Sequence, residues 1–227
     1  MSPPVLVVAA HPDDEVLGCG ATIARLSSDR EVHILILGEG STSRHASGSE
    51  TARAEVVRLQ ASAKAAAGIL GARSVEFGSL PDNRFDELPL LEIVKRVERA
   101  IEQIRPGTIY THHPGDLNID HRITFQAVLT ATRPMPGQSV QELYAFEIPS
   151  STEWAFQQLH PPFKPNVFMD ATGTIEMKLK ALAQYESECR AFPHPRSPEA
   201  LRTFARRWGT VVGLEYVEAF ELVRSTC

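Results

Sequence analysis

The chain is short of three things, and each shortage removes a class of protein. Its three cysteines, Cys19, Cys189 and Cys227, form no C-x-x-C pair, which argues against a disulfide frame and against a cysteine-built zinc cluster. Cys19 reads instead as a small buried residue at a strand-to-helix turn. No run approaches the roughly 18 apolar residues that span a bilayer. Residues 1–4 lack the positive region that opens a secretion signal, so the expectation is a cytoplasmic protein with no transmembrane segment. There is no basic surplus either. With 23 Lys and Arg against 28 Asp and Glu, the net charge is -5, and nucleic acid is not an expected partner because binding it needs clustered cations. What remains is ordinary: 227 residues, 43% hydrophobic and 22% charged, with no repeat or low-complexity tract. That composition buries a full core, and one domain over residues 1–227 is expected.

The stretch VLVVAAHPDDEVLGCG at residues 5–20 organises the rest. Residues 5–10 are all small or apolar, which fits a strand buried on both faces, since a one-sided strand would alternate with polar residues. His11, Pro12, Asp13, Asp14 and Glu15 follow without a spacer. In an open α/β sheet the carboxyl ends of the strands are where ligands sit. Pro12 pre-sets a turn through its fixed φ, so His11 and Asp14 can converge on one ion while Asp13 stays free to take a proton. A bare helix start would want one acid and no histidine. Gly18 and Gly20 are expected to turn the backbone into a helix over residues 21–27.

Residues 31–37 (EVHILIL) form a second apolar run, completing a βαβ signature of a parallel sheet. Residues 41–49, rich in Ser, Thr, Arg and His, read as a loop at the same edge, with Arg44 and His45 within reach of a ligand. Residues 50–70 favour a long helix stopped by Gly71, and Arg53 in its first turn opposes the helix dipole unless it binds something. A short strand at 74–77 and a helix at 90–104 follow. Beyond residue 134 the chain is less legible: irregular structure to 165 with a strand at 142–146, then helices over 174–189 and 198–212. Trp154 and Phe156 could line a site or simply pack. The link Phe192-Pro193-His194-Pro195-Arg196 could act as a lid or as a rigid connector.

A strand at 108–111 leads into the second polar block, His112-His113-Pro114-Gly115-Asp116-Leu117-Asn118-Ile119-Asp120-His121. The helix expected from residue 120 gives His121 a rigid base. Two imidazoles and one carboxylate bind a divalent metal and leave positions open, as catalytic zinc sites do. The reading is therefore His11, Asp14 and His121 as metal ligands with Asp13 as general base. The same donors suit Fe2+, Mn2+ and Ni2+ as well as Zn2+.

AHPDDEVLGCGATIARL together with GDLNIDHR resembles the PIG-L or LmbE-like family of metal-dependent N-acetylglucosaminyl deacetylases, over roughly residues 4–133. The resemblance implies a Rossmann-like three-layer α/β sandwich with a mostly parallel sheet, with residues 134–227 as a helical or lid portion. It implies the same ligands, His11, Asp14 and His121, with Asp13 as base. It places Arg53 and Asp82 at the substrate. Many members carry a histidine where this chain has Asn118. An amide can donate to an oxyanion but cannot deliver a proton. Either Asp13 performs both proton transfers, or His112, His113 or His194 supplies the second near the substrate.

The expected reaction is hydrolysis of an acetamido group on an amino sugar, in an N-acetylglucosamine-containing glycoconjugate or a surface-polysaccharide precursor, with a homo-oligomer expected by analogy alone. Three alternatives stand beside it. One is hydrolysis of another N-acyl group. The second is a non-catalytic metal-binding protein of the same fold. The third is a nucleotide-binding protein suggested by Gly18-x-Gly20, a motif that lacks its third glycine because position 23 is Ile.

Overall fold

The computed structural model describes residues 2–41 and 49–226. Arg44, His45 and Cys227 lie outside them. Among the described residues seven strands form: β1 (Val5–Ala9), β2 (Val32–Gly38), β3 (Ser74–Leu80), β4 (Thr108–His112), β5 (Glu142–Phe146), β6 (Val167–Asp170) and β7 (Val217–Ser225). The helices are α1 (Asp14–Leu26), α2 (Glu50–Leu70), α3 (Leu90–Ile104), α4 (Ile119–Ala131), α5 (Ile175–Leu182) and α6 (Pro198–Val212).

The strands make one sheet in the order β3-β2-β1-β4-β5-β7-β6. It is parallel from β3 to β5, and β7 runs antiparallel to both its neighbours. Strand order reverses between β1 and β4, which opens a crevice at their carboxyl ends. All five β1 residues are buried. Val5, Val7 and Ala9 enter one core with Ile23, Leu59, Leu179 and Leu201 from α1, α2, α5 and α6. Leu6, Val8 and Ala10 enter the other with Ile93, Val97 and Val128 from α3 and α4. Helices therefore cover both faces, as the unbroken apolar run of β1 requires. Each such Val or Leu contributes about 1.5–3 kcal/mol on burial.

Two expectations need correcting. The first helix starts at Asp14, not after Gly20, with a local break at Cys19 (φ -148°, ψ 26°). The Ala21 and Thr22 N–H groups donate to the buried Glu218 carboxylate at 3.1 and 2.7 Å. That carboxylate is also paired with Lys178 Nζ at 2.6 Å. A Cβ on Gly18 would fall 2.4 Å from the Phe146 ring, so this glycine permits close approach of α1 to the sheet. The second correction concerns the carboxyl-terminal third. Strands β6 and β7 were not anticipated, because Glu218 and Glu221 interrupt the apolar pattern of β7, and the helix expected over 174–189 ends at Leu182. By contrast α2 stops where expected, at Gly71 with φ 76°, and Ser49 caps its start by accepting from the Ala52 N–H.

Candidate active site

Four residues separate Ala9 of β1 from Asp14, the first residue of α1. Asp13 adopts φ 111°, ψ -28°, a left-handed conformation that costs a non-glycine residue on the order of 1–3 kcal/mol. Its N–H donates to Glu15 Oε2 at 3.1 Å, and Arg196 Nη1 donates to its Oδ2 at 2.8 Å. Glu15 is itself fixed by the Tyr185 hydroxyl at 2.5 Å. Starting the helix here brings the Asp14 carboxylate to the amino end of α1, where the dipole favours negative charge.

His11 Nδ1, Asp14 Oδ2 and His121 Nε2 form a nearly equilateral triangle. Its sides are 3.3 Å (His11 to Asp14), 3.2 Å (His121 to Asp14) and 3.3 Å (His11 to His121). Tetrahedral ligands at metal distances of about 2.0–2.1 Å lie about 3.3–3.4 Å from one another, so this donor set fits a tetrahedral divalent ion with its fourth position open. A second possible group, His11 with Asp82 and Asp120, uses the opposite ring nitrogen. His11 Nε2 lies 2.9 Å from Asp120 Oδ2 and 3.2 Å from Asp82 Oδ1. The Asp120 oxygens already accept from the Asn83 and Phe85 N–H groups at 2.7 and 3.0 Å. Asp120 is therefore better placed to orient His11 than to bind an ion.

The same logic repeats on the other imidazole. His121 Nδ1 lies 3.1 Å from Asp116 Oδ1, and fully buried Asp116 accepts from Ser151 Oγ, from Thr152 Oγ1 at 2.6 Å and from the Asn118 N–H at 2.8 Å. Carboxylates behind both histidines fix ring orientation and raise ligand basicity. His112 completes the support. Its Nε2 accepts the Ala10 N–H at 2.8 Å, and its ring stacks on His121 at 4.0 Å between centroids.

The balance of charges would suit a cation. Burial works against charge on His121, but Asp14 and Asp116 outweigh it and raise its pKa to about 9. His11 is likewise held well above the usual imidazole range, by Asp120 and Asp14 against the effect of burial. Burial would raise Asp14, yet His121 and His112 hold it well below the usual carboxylate range. Asp116, opposed by burial and favoured by His121, falls to about 2. Asp13 behaves differently. Burial, helped by Asp14, Glu188 and Glu15, outweighs Arg196 and lifts it well above the carboxylate range, which suits a group that takes and returns protons.

The family described as PIG-L, GlcNAc-PI de-N-acetylase, matches residues 6–132. This chain belongs to the PIG-L family. A diacetylchitobiose deacetylase of Thermococcus kodakarensis is 32% identical, with 96% of this chain and 82% of that protein covered. A probable N-acetyl-alpha-D-glucosaminyl L-malate deacetylase of Bacillus cereus is 25% identical over 82% of this chain and 84% of its own. Among solved structures, an N,N'-diacetylchitobiose deacetylase from Pyrococcus horikoshii superposes with TM-score 0.78 at 22% identity, covering 98% of this chain and 84% of that one. A 4-carboxy-2-hydroxymuconate hydratase from Pseudomonas putida superposes with TM-score 0.76 at 23% identity, covering 99% and 98%. Such likenesses show the fold, and fold alone does not choose a reaction.

The PIG-L site opens into a cavity of about 350 Å³. Of the residues anticipated from sequence, His11, Asp13, Asp14, Asp82, Asn118 and His121 line it. Asn118 caps α4, accepting the Asp120 N–H at 2.8 Å and donating Nδ2 to Asn83 at 2.9 Å. Four others do not line it. His112 is fully buried behind His121. His113 is fully buried and faces Glu221 at 3.3 Å, so neither of these histidines is placed at a substrate. Arg53 is exposed on α2. His194 stands behind the wall, with its ring 5.6 Å from that of Trp154.

The sequence placed Arg196 only in the 192–196 link, as lid or rigid connector, and gave no sign of Glu188; both line the cavity. Arg196 binds Asp13 and Ser150 Oγ, the latter at 2.8 Å, and lies 3.4 Å from Glu188. Nothing local marks Arg196, because its partner Asp13 is 183 positions away. Asp116 and Asp120 were visible in the second block, and a search for carboxylates behind each ligand histidine would have found them.

Proposed function

We propose that this chain is a metal-dependent hydrolase that removes the N-acetyl group from an N-acetylglucosamine-type amino sugar. The observation that carries the reading is the open triangle of His11, Asp14 and His121 on the cavity wall, with Asp13 beside it but outside it. Zinc suits three such ligands best, and Fe2+, Mn2+ or Ni2+ would accept the same donors. When bound, the ion polarises the acetamido carbonyl and acidifies water. Asp13 takes the proton from the attacking water and returns it to the departing nitrogen, because no histidine other than the two ligands lines the described cavity. Arg196 holds Asp13 Oδ2 and leaves Oδ1 for that transfer. Asn118 retains one amide hydrogen beyond its bond to Asn83, available to the oxyanion. We read residues 1–227 as one domain, in which 4–133 supply the ligands and base and 134–227 supply the wall with Arg196 and Trp154.

The test is acetate release from N-acetylglucosamine compounds by protein stripped of metal and then given zinc. Zinc-dependent release supports the reading, whereas release of a different acid from other N-acyl sugars would transfer it to that acyl group. A second reading, addition of water to an unsaturated acid, is named only by a hydratase of like fold. Among the described lining residues, however, Arg196 is the one guanidinium, and Asp13 and Glu188 already occupy it. No second arginine or lysine on the described wall is left to pair with a dicarboxylate. Water addition to 4-carboxy-2-hydroxymuconate without acetate release from any sugar would overturn this preference.

A further inference from the structure

We propose that Lys178 and Tyr185 are positioning residues: from α5 and the turn just past its end, they fix residues 14–18 and so set where Asp13 and Asp14 stand. The inference rests on the reading above for the roles of those two aspartates.

Residues 14–18 are the first turn of α1, and the backbone is non-helical on both sides of it. Asp13 before it is left-handed at φ 111°, and Cys19 after it has φ -148° and ψ 26°. A short turn between two such points takes its direction from neither β1 nor the rest of α1. A strained residue like Asp13 also persists only where its surroundings over-determine it. The direction of the turn is therefore set from outside.

Two buried side chains distant in sequence set it. In an unbroken helix the Ala21 N–H would donate to the Leu17 C=O. Here those two groups meet the two ends of an ion pair. Lys178 Nζ donates to the Leu17 C=O at 2.8 Å, the Ala21 N–H donates to Glu218 Oε1 at 3.1 Å, and Lys178 and Glu218 are 2.6 Å apart. The pair is thus inserted into the backbone ladder of α1 at its break. Both of its members are buried. A buried ion pair stabilises a fold little compared with apolar side chains of the same volume, so its use here is geometric. An ammonium and a carboxylate answer the carbonyl and amide groups at the break, and no apolar side chain can.

The second brace acts at the other end of the turn. The Tyr185 hydroxyl donates to Glu15 Oε1 at 2.5 Å, and Glu15 Oε2 accepts the Asp13 N–H at 3.1 Å. Tyr185 is fully buried and packs in one core with Val16 and Leu17 of the turn and with Leu179 and Leu182 of α5, so its hydroxyl is a fixed point. Neither Lys178 nor Tyr185 lines the cavity, and each acts through the turn.

The experiment uses the full chain in wild type, Tyr185→Phe, which removes the hydroxyl and keeps the ring, and Lys178→Met, which removes the ammonium. Val97→Ala, in the core on the opposite face of the sheet, is the control for lost stability alone. Competition with a chromogenic chelator gives the zinc affinity. Acetate release from an N-acetylglucosamine compound that the wild type hydrolyses gives kcat and KM at saturating zinc. Both brace variants should bind zinc about tenfold more weakly. They should also lose about 10–100-fold in kcat at unchanged KM, the loss expected when reacting groups are displaced by about 1 Å. Val97→Ala should lower the denaturation midpoint and leave zinc affinity, kcat and KM unchanged. Wild-type zinc affinity in a folded Tyr185→Phe overturns the inference, as does an equal loss in Val97→Ala. Tyr185→Phe decides by itself if Lys178→Met does not fold. A wild type that binds zinc but releases no acetate from any N-acetylglucosamine compound sinks the amino-sugar reading and leaves the zinc affinities to decide this inference.

Discussion

Asp120→Asn isolates the role of the carboxylate behind His11. Asp120 Oδ2 accepts from His11 Nε2 at 2.9 Å and from the Asn83 N–H at 2.7 Å, and Oδ1 accepts from the Phe85 N–H at 3.0 Å. Asparagine has the same shape with one acceptor atom instead of two. If its NH2 takes the place of Oδ2, His11 must present an unprotonated Nε2, and the proton moves to Nδ1, the atom that faces Asp14 and His121. If the NH2 takes the place of Oδ1, it confronts the Phe85 N–H. Either orientation leaves a backbone donor unpaired, part-buried at Asn83 or buried at Phe85, and the buried one costs about 1–3 kcal/mol. Both remove the charge that supports His11 as a ligand, which weakens metal binding about 10–100-fold, or about 1.4–2.8 kcal/mol. At a zinc concentration near 1,000 times the wild-type Kd, zinc stabilises the wild type by about 4.1 kcal/mol. A 100-fold weaker variant gains only about 1.4 kcal/mol. Competition with a chromogenic chelator measures the affinity, and calorimetric unfolding with and without zinc measures the two stability terms. An unchanged zinc affinity in a folded variant would refute the argument that Asp120 acts through His11.

Asp13→Asn should retain one zinc per chain and lose about 10²–10⁴-fold in turnover, since Asp13 is a proton carrier and not a ligand; His121→Ala should lose both. Metal analysis beside acetate release distinguishes the two. Gly18→Ala places a methyl 2.4 Å from Phe146 and should cost about 1–3 kcal/mol by overpacking, read as a lower denaturation midpoint at unchanged slope. Burial raises Glu147 from 4.5 to about 7 despite its bond from Trp208 Nε1. A carboxyl group whose folded pKa is raised favours the folded state at low pH, and that contribution is lost as pH rises from about 4.5 through about 7. Full burial would make the loss about 3 kcal/mol, and partial exposure of the group reduces it to about 1–2 kcal/mol. Glu147→Gln should therefore flatten stability across that pH window, measured by denaturant unfolding of the metal-free protein.

The local part of this protein is written in its local sequence. The run before His11 needs burial on both faces because it has no polar alternation, so β1 lies at the centre of the sheet and the HPDDE block at its carboxyl end. Helices α2, α3 and α6 follow from periodicity, composition and end signals, which act through neighbouring dihedral angles and backbone hydrogen bonds. The convergence of His11, Asp14 and His121 was legible for the same reason, since both blocks sit directly after strands that pair with each other. Tertiary structure decided everything that joins distant positions. It placed β7 between β5 and β6, buried His112 and His113 away from the cavity, set Asp116 and Asp120 behind His121 and His11, and brought Arg196 to Asp13 and Trp154 to the cavity wall. Those contacts span tens to nearly two hundred residues, and no periodicity encodes them. They depend on which strands pair and on which face each connection returns, and that outcome belongs to the packing of the whole chain.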